Sequence, residues 1–284
     1  MTGPYAEVIG DPIEQSKSPT IHGFWLAELG IAAEYRACHV LSDGVEVYLA
    51  ERRADSDWRG CNVTMPHKQA VMPFLDAIDP LAARIGAVNT IVREDDRLVG
   101  YNTDVAGFLE PLQSRLSEVH LYRMARILGA GGAARAIIAA LAGKNFTLVV
   151  AARDPAKARA LLDELDPDGE HHAVDLAHFA PETDFEFDDR KGCLDLIINA
   201  SPLGMAGKPP LAFDFSHAPP GSVVYDIVTH PLDTPLLQTA LAQGLPTIDG
   251  LAMLIGQAAA AFEKFYGQPA PRAHDAELRA MLTA

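Results

Sequence analysis

Positive charge is scarce in this chain. Across 284 residues, 23 Lys and Arg stand against 38 Asp and Glu, a formal net charge of −15. Nucleic acid and anionic membrane both require basic surface, so neither is expected as a partner. Cysteine is scarce too: Cys38, Cys61 and Cys193 are odd in number, widely spaced and form no C-x-x-C pair. That argues against a disulfide framework or a zinc site and reads as reduced thiols filling the core of a cytosolic protein. No apolar run reaches the roughly 20 residues that span a bilayer. The opening "MTGPYAEVIGDP" lacks the basic and apolar regions of a signal peptide, and a cytoplasmic location is expected. The ten histidines show no ligand spacing, so no metal is expected, and the adjacent His171 and His172 read as exposed. Internal repeats and linkers of Gly, Ser and Pro are missing as well, so a domain seam must be read from a change in pattern.

What is present is ordinary globular material, 49% hydrophobic and 21% charged, long enough for one large domain or two of usual size. Short strand-like runs alternate with helical ones. "AEVIG", "AEYRACHV" and "RGCNVTM" read as strands, and "VEVYLAERRA" and "PTIHGFWLAELG", closed by Gly30, as helices. "KQAVMPFLDAI" and "PLAARIG" continue as helices, and "AVNTIVRED" with "RLVGYNTD" as a hairpin. A longer helical pattern, "VAGFLEPLQSRLSE", leads into a strand–helix–strand–helix unit, "ARILGAGGAARAIIAALAGKNFTLVVAARDPAKARALLDEL". Further strands are expected at "HHAVDL", "LDLIINAS", "SVVYDIV" and "LPTIDG", and the acidic "APETDFEFDDRKG" as a surface loop. From Gly250 on, "LAMLIGQAAAAFEKFYG" is helical, as are the last residues. Such alternation indicates an α/β fold with largely parallel sheets. The change of unit puts the seam near Asp104.

"ILGAGGAARA" places Gly129, Gly131 and Ala134 on the G-x-G-x-x-G/A template, between an apolar strand and an alanine-rich helix. Gly129 permits the tight turn, Gly131 lets backbone approach a pyrophosphate, and Ala134 lets helix pack on strand. The helix N-terminus offers N–H groups to phosphates. An ordinary glycine turn would explain the match in isolation; the flanking elements favour dinucleotide binding. After the second strand, an acid marks NAD and an arginine marks NADP. Here "VVAARDPAK" supplies Arg153 and Lys157, which could grip a 2′-phosphate, and Asp154, which works against them. The reading leans to NADP, with NAD kept open by Asp154.

Five polar stretches sit at strand ends. "NVTMPHK" aims Thr64 and Lys68 at one small space after Pro66, with His67 read as a neighbour rather than a participant. "GDPIEQSKSPTIH" carries Ser16 and Ser18, and Ser18 before Pro19 also suits an N-cap. "GAVNT" carries Asn89, which a turn alone would explain. "YNTDVAGF" carries Asp104 at an expected N-cap, and "MLIGQAAAAF" sets Gln257 in an apolar helix, where a solvent-facing glutamine is the plain alternative.

In order and wording these segments resemble the shikimate dehydrogenase family over nearly the whole chain. The matching stretches are "SKSP-IH", "NVT-P-K", "GAVNT", "NTD--G", "GAGGAARA", "INASPLGM", "YDI", "TPLL" and "DGLAMLIGQAA--F". The resemblance implies two α/β domains with the active-site cleft between them. Residues 1–104, completed by C-terminal helices in 251–284, would bind substrate, and 105–250 would be a Rossmann-type NADP domain. It implies Lys68 and Asp104 as the catalytic pair of a reversible NADPH-dependent reduction of 3-dehydroshikimate to shikimate, in aromatic amino-acid biosynthesis. Ser16 and Ser18 would hold the substrate carboxylate, and Thr64, Asn89, Asp104 and Gln257 the ring hydroxyls, with Asn62 and Asn102 supporting the loops. Gly129, Ala130, Gly131, Gly132, Ala133, Arg153 and Lys157 would bind the dinucleotide, with Ile227 and Gly250 along the nicotinamide. A small-molecule substrate and a monomer or homodimer are expected. Two departures keep a quinate/shikimate dehydrogenase or related paralogue using NAD as the alternative. "YDIVTH" has Thr229 where the family commonly has a second tyrosine, and "ARD" stands where it has "NRT".

Overall fold

The computed structural model describes residues 3–283. The chain divides into two compact units. One runs up to Gly107 and resumes at Ile255, and the other is Phe108–Leu254.

In the first unit the expected strand–helix alternation appears as β1 (Tyr5–Gly10), α1 (Ser18–Leu29), β2 (Glu34–His39), α2 (Val45–Ala54) and β3 (Trp58–Val63). Then come β4 (Ala77–Ile78), α3 (Pro80–Ile85), β5 (Thr90–Glu94) and β6 (Arg97–Tyr101). The strands form one sheet in the order β2-β1-β3-β5-β6-β4. It is more mixed than the alternation implies: β1 pairs parallel to β2 and β3, whereas β5 runs antiparallel to both β3 and β6. The β5–β6 hairpin is the one expected, and Asp95 at its turn takes φ 54°, a left-handed conformation an aspartate tolerates.

Three local expectations fail, two of them at a proline. "KQAVMPFLDAI" forms turns, a single 3-10 turn at Met72–Phe74 and then β4. Pro73 removes a helical donor, and the backbone turns extended at Leu75, φ −96° and ψ 147°. "VAGFLEPLQSRLSE" is likewise interrupted at Pro111 into α4 (Asp104–Leu109), a 3-10 turn and α5 (Gln113–Ser117). Ser18 does not cap α1. Lys17 occupies the cap position without a side-chain cap bond, and Ser18 is a buried residue of the helix itself.

The second unit contains β7 (Tyr122–Leu128), α6 (Gly132–Leu141), β8 (Phe146–Ala152), α7 (Pro155–Leu165), β9 (His172–Asp175) and β10 (Cys193–Asn199). It continues through β11 (Val223–Asp226), α8 (Pro235–Ala242) and β12 (Thr247–Ile248). The sheet order is β12-β11-β10-β7-β8-β9, every pairing parallel. Taking β7 as the first strand, this is the doubly wound order in which dinucleotides bind where strand order reverses, at the carboxyl ends of the first and fourth strands. The apolar strands are buried on both faces as that topology requires: Ile127, Leu148, Ile197 and Val224 are fully covered.

Helix α9 (Gly250–Tyr266) spans the second seam, and α10 (Asp275–Thr283) follows. The later turns of α9 belong to the first unit. There Phe262 meets Trp25 of α1 edge to face, with ring centroids 5.5 Å apart. Of the cysteines, Cys61 is buried, while Cys38 and Cys193 are only partly so, and all three are free thiols. His171 is buried rather than exposed. It links Asp166 to the Leu148 amide, which removes it from solvent although His172 beside it stays exposed. Among the described residues no helix is long and apolar enough to cross a membrane.

Candidate active site

Strand β3 ends at Val63, and the backbone turns sharply through Thr64, whose N–H donates to the Ile9 carbonyl while its own carbonyl accepts from His67 N. Lys68 then lies against the segment before β5, its carbonyl accepting from Val88 N at 2.8 Å. At the far end of the hairpin the Asn102 side chain bonds the Ala87 carbonyl at 3.0 Å and accepts from the Asp104 amide at 3.1 Å. These backbone ties bring together two residues 36 positions apart: Lys68 Nζ donates to Asp104 Oδ2 at 2.5 Å. The Asp104 carboxylate is nearly covered and the lysine about one-fifth exposed. A buried carboxylate needs such a partner to remain charged, and the lysine stays within reach of the surface.

A network of uncharged polar groups surrounds the pair. Asn89 Nδ2 donates to the other Asp104 oxygen at 2.9 Å and to Thr103 Oγ1 at 3.0 Å. Gln257 Oε1 lies 3.5 Å from the same nitrogen. Gln257 therefore points inward, buried, rather than facing solvent. Asn62 Nδ2 donates to Thr90 Oγ1 at 3.0 Å, and Thr90 donates to Asn89 Oδ1 at 3.0 Å. Ser16 and Thr64 lie at the margin, half-buried, with Ser16 Oγ accepting from Ser18 N at 3.3 Å. His67 is turned away from the lysine, its buried Nε2 donating to the Val40 carbonyl at 2.6 Å. Lys68, Asn89, Asp104 and Gln257 thus share one corner with Asn62, as do Tyr35, Thr90 and Thr103, which sequence reasoning missed. Their only signal was position: Thr90 follows "GAVN", Thr103 sits inside "NTD", and Tyr35 is the buried residue of an edge strand. Among the described residues no group of three or more metal-ligating side chains is found.

In the second unit the glycine turn has the form the motif demands. Gly129 takes φ +128°, and a Cβ there would stand 2.8 Å from the Ala200 carbonyl, so only glycine fits. At Gly131 and Gly132 a Cβ would meet nothing within 4 Å. Helix α6 starts there with no side-chain cap, leaving its amide end open. Arg153 is exposed on the turn after β8, and Lys157 is exposed in the first turn of α7. Asp154 caps α7, its Oδ1 accepting from the Ala156 and Lys157 amides at 3.0 and 3.4 Å, which accounts for that acid without a ribose. Gly250 and Ile227 adjoin, because a Cβ on Gly250 would lie 2.5 Å from the Ile227 carbonyl. The turn holding Ile227 is pinned by Asp226, which accepts from Asn199 Nδ2, Val228 N and Thr234 Oγ1 at 2.7–3.0 Å. Burial raises the Asp226 carboxyl above its ordinary range against the pull of these three donors.

Comparison with known proteins identifies the family. The shikimate dehydrogenase substrate binding domain matches residues 8–91, and the shikimate 5'-dehydrogenase C-terminal domain matches residues 250–277. A shikimate dehydrogenase (NADP(+)) of Sphingopyxis alaskensis is 51% identical over 284 residues, 99% of this chain and 97% of that protein. A crystal structure of a shikimate dehydrogenase in complex with NADP+ superposes with a TM-score of 0.86 at 33% identity, covering 100% of this chain and 98% of the other. The shikimate 5-dehydrogenase of Thermus thermophilus, in complex with NADP(H) and shikimate, gives 0.80 at 32% identity, covering 98% and 99%. Identity of this level over the full length leaves one conclusion: the chain belongs to the shikimate dehydrogenase family.

Proposed function

We propose that this protein is an NADP-dependent shikimate dehydrogenase, reversibly reducing 3-dehydroshikimate to shikimate in aromatic amino-acid biosynthesis. The observation that carries the reading is the 2.5 Å contact between Lys68 and Asp104 at the centre of a buried polar network. Reduction of a ring ketone needs a hydride on carbon and a proton on oxygen. NADPH, when bound, supplies the hydride. Lys68, as an ammonium, gives its proton to the carbonyl oxygen; in the oxidative direction the neutral amine takes it back. Asp104 stands beside that ammonium and holds it in place through the hydrogen bond to Oδ2. Asn89, Gln257, Thr64 and Asp104 would orient the ring hydroxyls. Ser16 and Ser18 would receive the carboxylate by hydrogen bonding, since a chain of net charge −15 offers an anion no general attraction.

NADP fits the second unit on its own geometry. The open space over Gly131 and Gly132 is what side chains at these positions would fill, and the uncapped start of α6 presents amides to a pyrophosphate. Arg153, with Lys157 one turn on, would take the 2′-phosphate, and Ile227 with Gly250 would face the nicotinamide. The first unit would then serve the substrate and Phe108–Leu254 the cofactor. The reading places the enzyme in the cytoplasm as a monomer or homodimer.

Steady-state kinetics with shikimate and quinate, each with NADP and NAD, test the assignment. Shikimate with NADP is expected to be preferred, and a tenfold preference for quinate with NAD, about 1.4 kcal/mol, would overturn it. Lys68→Ala is expected to lower kcat by about 10²–10⁴-fold with NADP binding retained. Unchanged turnover would remove Lys68 from the chemistry.

A further inference from the structure

Tyr35 touches neither Lys68 nor Asp104, yet it stands at the head of the hydrogen bonds that reach them. It lies on the edge strand β2, 8% exposed, with its ring stacked on His22 at a centroid distance of 3.9 Å and an interplanar angle of 7°. Its hydroxyl donates to Asn62 Oδ1 at 2.6 Å, and the Ser18 hydroxyl lies beside it. Burial pushes the phenol well above its ordinary range, so it remains a donor at any working pH.

From there the directions of the side-chain amides are fixed by what they meet. Asn62 Nδ2 also donates to the Asn89 carbonyl at 3.3 Å, which can only accept, so Asn62 Oδ1 must face Tyr35. Thr90 accepts from Asn62 and donates to Asn89 Oδ1, the nearer of its two acceptors at 3.0 Å against 3.3 Å for Thr103 Oγ1. The Thr103 amide donates to that same oxygen at 2.7 Å, which turns Asn89 Nδ2 onto Asp104 at 2.9 Å. Asn62 holds Asn89 directly at its carbonyl and indirectly through Thr90. Both holds depend on an Asn62 amide whose oxygen has a donor, and Tyr35 supplies it.

We propose that Tyr35 is a positioning residue: by satisfying Asn62 Oδ1 it keeps the Asn62–Thr90–Asn89 frame in the one arrangement that seats the Asn89 amide on the Asp104 carboxylate. The inference rests on the catalytic role given to that carboxylate above. Without the phenol, Asn62 Oδ1 is a buried acceptor lacking a donor, a state the side chain relieves by rotating. Rotation releases Thr90 and the Asn89 carbonyl together, and loosening of this kind near a reacting group costs turnover rather than affinity.

Tyr35→Phe keeps the ring and its stack on His22 while deleting the donor. Its kcat with shikimate and NADP is expected to fall about tenfold, with KM for shikimate and Kd for NADP within about twofold of wild type. Thr90→Val breaks the same relay one link on, so the double variant should be no slower than the slower single. A Tyr35→Phe kcat within about twofold of wild type, or losses that multiply in the double variant, would overturn the proposal. Side-chain amide resonances of Asn89 in ¹⁵N-labelled protein give a reading independent of turnover: they should move in Tyr35→Phe, and unmoved resonances would refute the relay. They also separate the two claims. A wild-type protein that does not oxidise shikimate sinks the functional reading, and the Asn89 resonances still decide the relay. Should Tyr35→Phe fail to fold, Thr90→Val answers through the same resonances and kcat.

Discussion

The imidazole of His22 makes the protein's response to acid calculable. It is fully buried in an aromatic cage of Tyr35, Trp25, Phe262 and Phe265, with centroids 3.9–6.0 Å away, and neither ring nitrogen has a hydrogen-bond partner among the described residues. Burial pushes its pKa down from 6.5 to about 3. The folded chain therefore keeps the ring neutral in mild acid, whereas the unfolded chain protonates it below 6.5. Because the folded value is the depressed one, stability is whole above pH 6.5 and drains away as pH falls toward 3. At about 1.4 kcal/mol per pH unit, the loss is about 2 kcal/mol at pH 5 and approaches 5 kcal/mol near pH 3. The two tryptophans, Trp25 and Trp58, are both fully buried in the unit that holds His22. Urea unfolding followed by tryptophan emission reads that unit. His22→Phe removes the titration, and carboxylate contributions remain common to both proteins. The wild-type curve of stability against pH should be steeper than the variant's by about 2 kcal/mol between pH 7 and 5. Parallel curves over that range would refute the reasoning.

Three further outcomes follow from particular contacts. Glu7 is 3% exposed and held by Arg52 at 2.7 and 3.2 Å and by the Tyr48 hydroxyl at 2.7 Å. Arg52→Met should cost about 3–5 kcal/mol in urea unfolding, and adding Glu7→Gln should restore much of it. Gly250→Ala forces a methyl to within 2.3 Å of the Val228 carbonyl and 2.5 Å of the Ile227 carbonyl. Since both neighbours are backbone, NADP affinity in a fluorescence titration should weaken about tenfold as the Ile227 turn shifts. Arg153→Ala should weaken NADP binding by about tenfold or more, with NAD binding little changed by calorimetry, because only NADP presents the 2′-phosphate. Equal losses for both cofactors would take Arg153 away from that phosphate.

Much of this architecture could be read from local pattern. The βαβ unit around Gly129 announced itself because a tight turn, a close approach and a small packing residue are demands on single positions. Helix α2 matches its expected span residue for residue. Proline decided the two broken helices, and Pro73 and Pro111 were visible in the sequence but outweighed by apolar periodicity. The buried polar residues were harder. His171 looked exposed because nothing local says that Asp166 and the Leu148 amide will close around it. Gln257 sits in a helix whose apolar face gives no sign that a polar side chain is to be taken in with it.

The sequence by itself determined the α/β class and the dinucleotide turn and offered Lys68, Asn89, Asp104 and Gln257 as candidates, because helix and strand periods and glycine requirements act over a few neighbouring positions. The tertiary structure decided which of those residues touch. Lys68 and Asp104 lie at the ends of different strands, and only the pairing of β3, β5 and β6 sets them 2.5 Å apart. Tyr35, Asn62, Thr90 and Asn89 gain their fixed directions only once burial excludes water, since in water each could turn to other partners.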